Sequence, residues 1–108
     1  MDINIAMRIY KKIKTTKLEE LKHDVLTYAV RYAKIRTEWA FLSLDVRKEK
    51  DQFRTNTHNA FISVCNALAR NMKKRGEDVS WHAELGSNRV EIGDFACYLH
   101  CLIGLEMR

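Results

Sequence analysis

Proline is absent from this 108-residue chain, and its four glycines, Gly76, Gly86, Gly93 and Gly104, all fall in the last third. Before residue 76, therefore, no residue strongly breaks a helix. No uninterrupted apolar run approaches the roughly 18 residues of a membrane span, and the opening MDINIAMRIYKK has an acidic second residue and no apolar leader core. Cysteine is scarce and odd in number: Cys65, Cys97 and Cys101 sit in apolar company, which suits reduced, packed thiols better than a secreted disulfide framework. There is no C-x-x-C pair, Gly-rich phosphate loop, zinc-finger spacing or internal repeat, and no linker or low-complexity tract. Together these absences lead us to expect one domain, 1–108, in the cytoplasm, with no cofactor and no metal.

What is present reads as helix throughout. Hydrophobic residues make up 46% and charged residues 31%, ordinary for a folded globular chain. Asp2 is placed to cap a helix over 2–14, with Ile3, Ala6, Ile9, Tyr10 and Ile13 on one side. Thr16-Lys17-Leu18-Glu19 has the form of a capping box, in which a hydroxyl and a carboxylate each satisfy a free backbone amide, so a second helix should open there. From it runs a series at alternating steps of three and four: Leu18, Leu21, Val25, Tyr28, Tyr32, Ile35, Trp39, Leu42 and Val46.

A helix from 17 to about 48 would be roughly 45–50 Å long at 1.5 Å per residue, more than the ~30 Å breadth of a domain this size. The overhang predicts either a break or a homodimer formed through this long second helix. The stretch Lys48-Glu49-Lys50-Asp51 followed by Thr55-Asn56-Thr57 points to a break between 48 and 57, with Asp51 or Thr55 capping a third helix. That helix ends in Lys73-Lys74-Arg75 with Gly76 beyond it. Residues 77–88 then form a connection with a helical turn after Ser80, in which Trp81 and Leu85 close one end of the core. Asn88 caps a last helix reaching about residue 105, apolar nearly all round and so expected at the centre. The fold class is all-α, a bundle of about four helices.

Three constellations could carry chemistry. In the last helix, Gly93, Cys97, His100, Cys101 and Gly104 share one sector. These small side chains predict close helix packing rather than metal ligation, because the Cys and His spacing matches no two-pair zinc signature. The single charge there, Asp94, needs a partner, and Arg54 or His58 is expected to supply it. In the third helix, Asp51, Arg54 and His58 lie at i, i+3, i+7, with Asn59 adjacent. A guanidinium and an imidazole one turn apart could bind phosphate and serve as general base, the requirement for cleaving RNA at a 2′-hydroxyl. Arg54, His58 and Asp94 are thus the candidate catalytic residues. The third constellation is a basic face on the first helix, Arg8, Lys11, Lys12, Lys14 and Lys17, with no acid between Asp2 and Glu19. It is the candidate surface for nucleic acid or another anionic partner. The chain's net charge of +5 also lies in this half, where residues 1–50 hold 12 Lys/Arg against 7 Asp/Glu.

The segment Arg54-Thr55-Asn56-Thr57-His58-Asn59 resembles the Arg-to-His motif of HEPN-type ribonucleases, small helical proteins that are usually dimers. That resemblance implies an RNA-acting hydrolase using Arg54 and His58. The family usually places four to six residues between Arg and His, whereas this chain has three. From Asp51 onward, Arg54, His58, Asn59, Asn66, Leu68, Arg70 and Ile92-Gly93-Asp94-Phe95-Ala96-Cys97-Tyr98 also resemble small bacterial and phage-associated helical proteins without an assigned activity. That second resemblance implies a compact helical fold. The residues themselves favour a non-enzymatic interaction or regulatory module, with the hydrolase as the alternative.

Overall fold

Local cap chemistry sets most of the helix ends. The computed structural model describes residues 1–86 and 88–107; Ser87, inside the expected 77–88 connection, lies outside them. The elements are α1 (Ile3–Thr15), α2 (Glu19–Trp39), α3 (Leu44–Lys74), α4 (Ser80–Leu85) and α5 (Arg89–Glu106), an all-α architecture. The Asp2 side chain accepts from the Asn4 amide at 2.6 Å, and Asn88 accepts from the amides of Val90 and Glu91, as the sequence predicts. After α3, Gly76 takes φ 77°. Its amide donates to Lys73 O, and the Glu77 amide donates to Met72 O. This is the paired arrangement that a left-handed residue makes at a helix end.

Two boundaries differ from the sequence expectation. The capping box at Thr16 does not form: α2 begins at Glu19 without a side-chain cap, while the buried Thr16 hydroxyl donates to Glu77 Oε2 at 3.3 Å and accepts weakly from the Leu18 amide. More consequentially, the break lies at 40–43, not 48–57. Ser43 caps α3 by accepting from the Val46 amide at 3.3 Å, so the charged Lys48-Asp51 stretch is exposed helix. The long helix is therefore α3, with 31 residues, and α2 has only 21. The apolar stripe of α2 from Leu18 to Trp39 packs into its own chain's core. The 17–48 helix on which the dimer expectation rested is thus divided between α2 and the start of α3, and the long helix of the fold is the third rather than the second.

One continuous core draws on all five helices, with Phe61, Phe95, Ile9, Ile13, Leu68, Leu99 and Val25 fully enclosed. Helix α2 lies against both α3 and α5, α1 rests on α5, and α4 bridges α3 and α5. Trp81 and Leu85 of α4 are buried at one end, as expected. The α5 helix buries one face, Ile92, Gly93, Phe95, Ala96 and Leu99, while Val90, Leu105 and, just past the helix, Met107 are exposed, so it is not enclosed all round as its composition predicts.

At about 1.5 Å per residue, α3 is roughly 46 Å long, matching the 47 Å long axis of the molecule. Its first buried side chain is Thr57. Arg54 stacks over Trp39, the last residue of α2, at 4.0 Å. The turns of α3 before Arg54 therefore project past the end of α2 as an arm.

Candidate functional site

The α5 stripe builds its polar site around Gly93. A Cβ at this position would stand 2.8–2.9 Å from Nε, Cδ and Cζ of Arg36, so the Arg36 side chain lies directly on the α5 backbone. From there Arg36 donates to Asp94 Oδ1 at 2.7 Å and, more weakly, to Cys97 Sγ at 3.8 Å. The N-terminal amine stands 3.7 Å from Asp94 Oδ2. Burial by itself pulls the Arg36 guanidinium down, but the hydrogen bonds to Asp94 and Cys97 outweigh it and hold the group above its ordinary value. The partner of Asp94 is thus Arg36 of α2, not Arg54 or His58. The close approach expected of this stripe is made at Gly93, by a side chain rather than by a whole helix. It ends at Cys97, since Cys101 is exposed and an added Cβ at Gly104 would touch nothing.

Arg54 and His58 are turned toward α2. The Arg54 guanidinium lies over the Trp39 ring, with Cζ 4.0 Å from its centroid, a cation–π contact worth about 0.5–2 kcal/mol, and its Nη2 reaches Asp51 at 3.4 Å. The His58 ring meets Tyr32 edge-on with centroids 5.3 Å apart. Its Nδ1 stands 3.3 Å from Asn59 Oδ1, while its Nε2, like Arg54 Nε, is buried without a hydrogen-bond partner. Phosphate binding needs a guanidinium fork presented to the ligand; here the group is spent on an indole ring and an aspartate. The three candidate catalytic residues are divided between two separate sets of contacts.

The basic face of α1 is largely answered within the chain. Arg8 pairs with Glu84 at 2.8 Å, Lys12 with Asp78 at 3.4 Å, and Lys14 with Glu106. Lys11 and Lys17 make no ion pair among the described residues. Tyr10 adds a hydrogen bond, donating to Glu106 Oε2 at 2.7 Å. Burial, reinforced by Glu106, pushes the Tyr10 hydroxyl up to about 12, and the hydrogen bonds from Lys14 and Tyr10 hold the Glu106 carboxyl below its ordinary value. Asp78 is held down first by the Ser80 amide and then by the Ser80 side chain and Lys12. These contacts fasten α1 to the segment around α4 and to the end of α5. Sequence spacing could not have found them, since each joins residues more than sixty positions apart.

A concavity that sequence reasoning missed lies between α3, α4 and α5, walled by Phe61, Ile62, Cys65, Leu85 and Ile92, with Asn66 and His82 at its edge. Among the described residues no group of three His, Cys, Asp or Glu side chains could hold a metal ion, and no helix is long and apolar enough to cross a membrane.

These features define a small five-helix protein with a polar clasp at Arg36–Asp94, an ion-paired basic face and a projecting arm. Comparison with protein-family models, with curated proteins and with solved structures gives no match for this chain.

Proposed function

We propose that this protein is a non-enzymatic interaction module that self-associates through the arm of α3 and the turn before it. The observation that carries this reading is the overhang. Across Leu44–Asn56 no side chain is buried, while Phe41, Leu44 and Phe53 are 89%, 74% and 59% exposed. Phe53 and Val46 share one side of the arm at i, i+7 spacing and Leu44 lies opposite, so a second chain is expected to clasp the arm rather than lie along one face. Covering such side chains is worth about 1.5–3 kcal/mol each.

The remaining polar chemistry supports the same reading. Arg54 and His58 serve the α2–α3 contact, and three of the four basic residues on α1, Arg8, Lys12 and Lys14, face carboxylates of their own chain. Neither observation favours RNA cleavage or a phosphate-binding face. Three free thiols support placement in a reducing, cytoplasmic setting.

Light scattering on the eluting peak of a sizing column tests the proposal. The wild type is expected as a dimer at tens of micromolar, and Phe41→Ser/Phe53→Ser as a monomer with an unchanged circular dichroism spectrum. A wild type that remains monomeric at several hundred micromolar refutes it.

A further inference from the structure

The apolar concavity and a pair of cations form one continuous groove on the side of the molecule where α4 meets α3. Its inner part is a cleft of about 260 Å³ that opens to solvent at its mouth. Its walls offer water little to bond. Phe61, Ile62, Leu85 and Ile92 are hydrocarbon, and burial pushes the Cys65 thiol up to about 12, so this sulfur remains a neutral, unreactive part of the wall. Apolar cavities of this kind favour apolar occupants over solvent.

The outer part is a shallower shelf of about 440 Å³ lined by Arg70, Lys73, Ala69 and Val79. The two parts share Asn66 and His82, which are joined by a 2.7 Å hydrogen bond with His82 Nε2 donating to Asn66 Oδ1. Arg70 and Lys73 project from α3 at i, i+3, and neither makes an ion pair among the described residues. Of the cations that follow on α3, Lys74 likewise makes no ion pair among the described residues, while Arg75 is occupied by Glu77.

We propose that this groove binds a small amphipathic anion, its apolar body in the cleft and its carboxylate or phosphate on Arg70 and Lys73. The ligand is a free amphiphile rather than a bilayer lipid in place, because the apolar walls lie inside a concavity between three helices.

Isothermal calorimetry with decanoate, at concentrations where it is monomeric, tests this site. One saturable site is expected, with acetate inert because it lacks the body and decanol weaker because it lacks the charge. Arg70→Glu/Lys73→Glu alters only exposed side chains and should weaken decanoate by about tenfold, as the loss of two solvent-exposed charge contacts implies. Ile62→Trp fills the cleft and should abolish binding. If that variant does not fold, Asn66→Phe closes the mouth from an exposed rim position and carries the same expectation. Equal affinity in wild type and the charge-reversed variant overturns the proposal. So does the absence of saturable binding, or retention on anionic phospholipid vesicles with no response to decanoate.

Discussion

Gly93→Ala sets helix propensity against packing at a single atom. Gly93 sits in the interior of α5 with ordinary negative φ, where alanine should gain about 0.8–1.0 kcal/mol. Opposing that gain, the new methyl group would lie 2.8–2.9 Å from three atoms of Arg36, well inside contact distance, so Arg36 must lift away. Lifting it breaks the 2.7 Å bond to Asp94. A charge-assisted hydrogen bond contributes roughly 1.5–3 kcal/mol, but both partners are about one-third exposed, and solvent screening brings the loss nearer to about 1–2 kcal/mol. The net effect in the wild-type background is therefore between zero and about 1 kcal/mol destabilising. With Arg36→Ala already in place nothing remains to clash, and the same substitution should stabilise by the full ~1 kcal/mol. The coupling of about 1–2 kcal/mol exceeds the ~0.5 kcal/mol within which independent sites add. Urea unfolding of the four proteins, followed by circular dichroism with a common slope, measures it. If Gly93→Ala stabilises equally in both backgrounds, Arg36 does not rest on Gly93 and the account of the clasp is wrong.

Two further outcomes follow from groups inside the fold. His58→Phe keeps the edge contact with Tyr32 and removes a buried nitrogen that has no partner; it should stabilise by about 1 kcal/mol, raising the thermal midpoint by roughly 4 °C, whereas a fall would mean that Nε2 is bonded. Tyr10 should ionise late, near 12, in an absorbance titration at 295 nm, with the late component absent in Tyr10→Phe. Because its folded value lies above the unfolded value of ~10, its contribution to stability is complete below pH 10 and is lost as pH rises toward 12. Glu106→Gln should advance that component, and an unmoved one would show that Glu106 does not act on Tyr10.

Cap residues were the most legible part of the fold. Asp2, Gly76 and Asn88 announce helix ends through chemistry confined to neighbouring residues, and each lies where the sequence places it. The turn at 40–43 was illegible for two physical reasons. It contains neither proline nor glycine, and the three-and-four series of apolar residues continues across it through Trp39, Leu42 and Val46. Only Ser43 marks the new start, and its signal was masked by the more conspicuous charged stretch after it. The site was half legible. A lone charge in an apolar helix did identify Asp94 as a residue needing a partner, but a helical wheel ranks faces within one helix and is silent on which helix lies opposite. Arg36 could be chosen over Arg54 and His58 only once α2 was known to pack against α5. The same limit hid Glu84, Asp78 and Glu106 as partners of the basic face.

The arm of α3 divides the molecule thermodynamically as well as spatially. Its first thirteen residues, Leu44–Asn56, bury no side chain. They are tied down by the Ser43 cap, by Arg47, which donates to the carbonyls of Trp39 and Ala40, and by Arg54 over the Trp39 ring. A helix of this length with so few packed side chains is marginal in water. Its amides should therefore exchange with solvent through opening of a few turns, orders of magnitude faster than those of Phe61–Met72, which open only when the body unfolds. The arm is then expected to open at temperatures well below those that melt the rest of the chain. Anything that clasps it must also complete its folding, so the affinity of that contact would carry the steep temperature dependence of a local folding reaction.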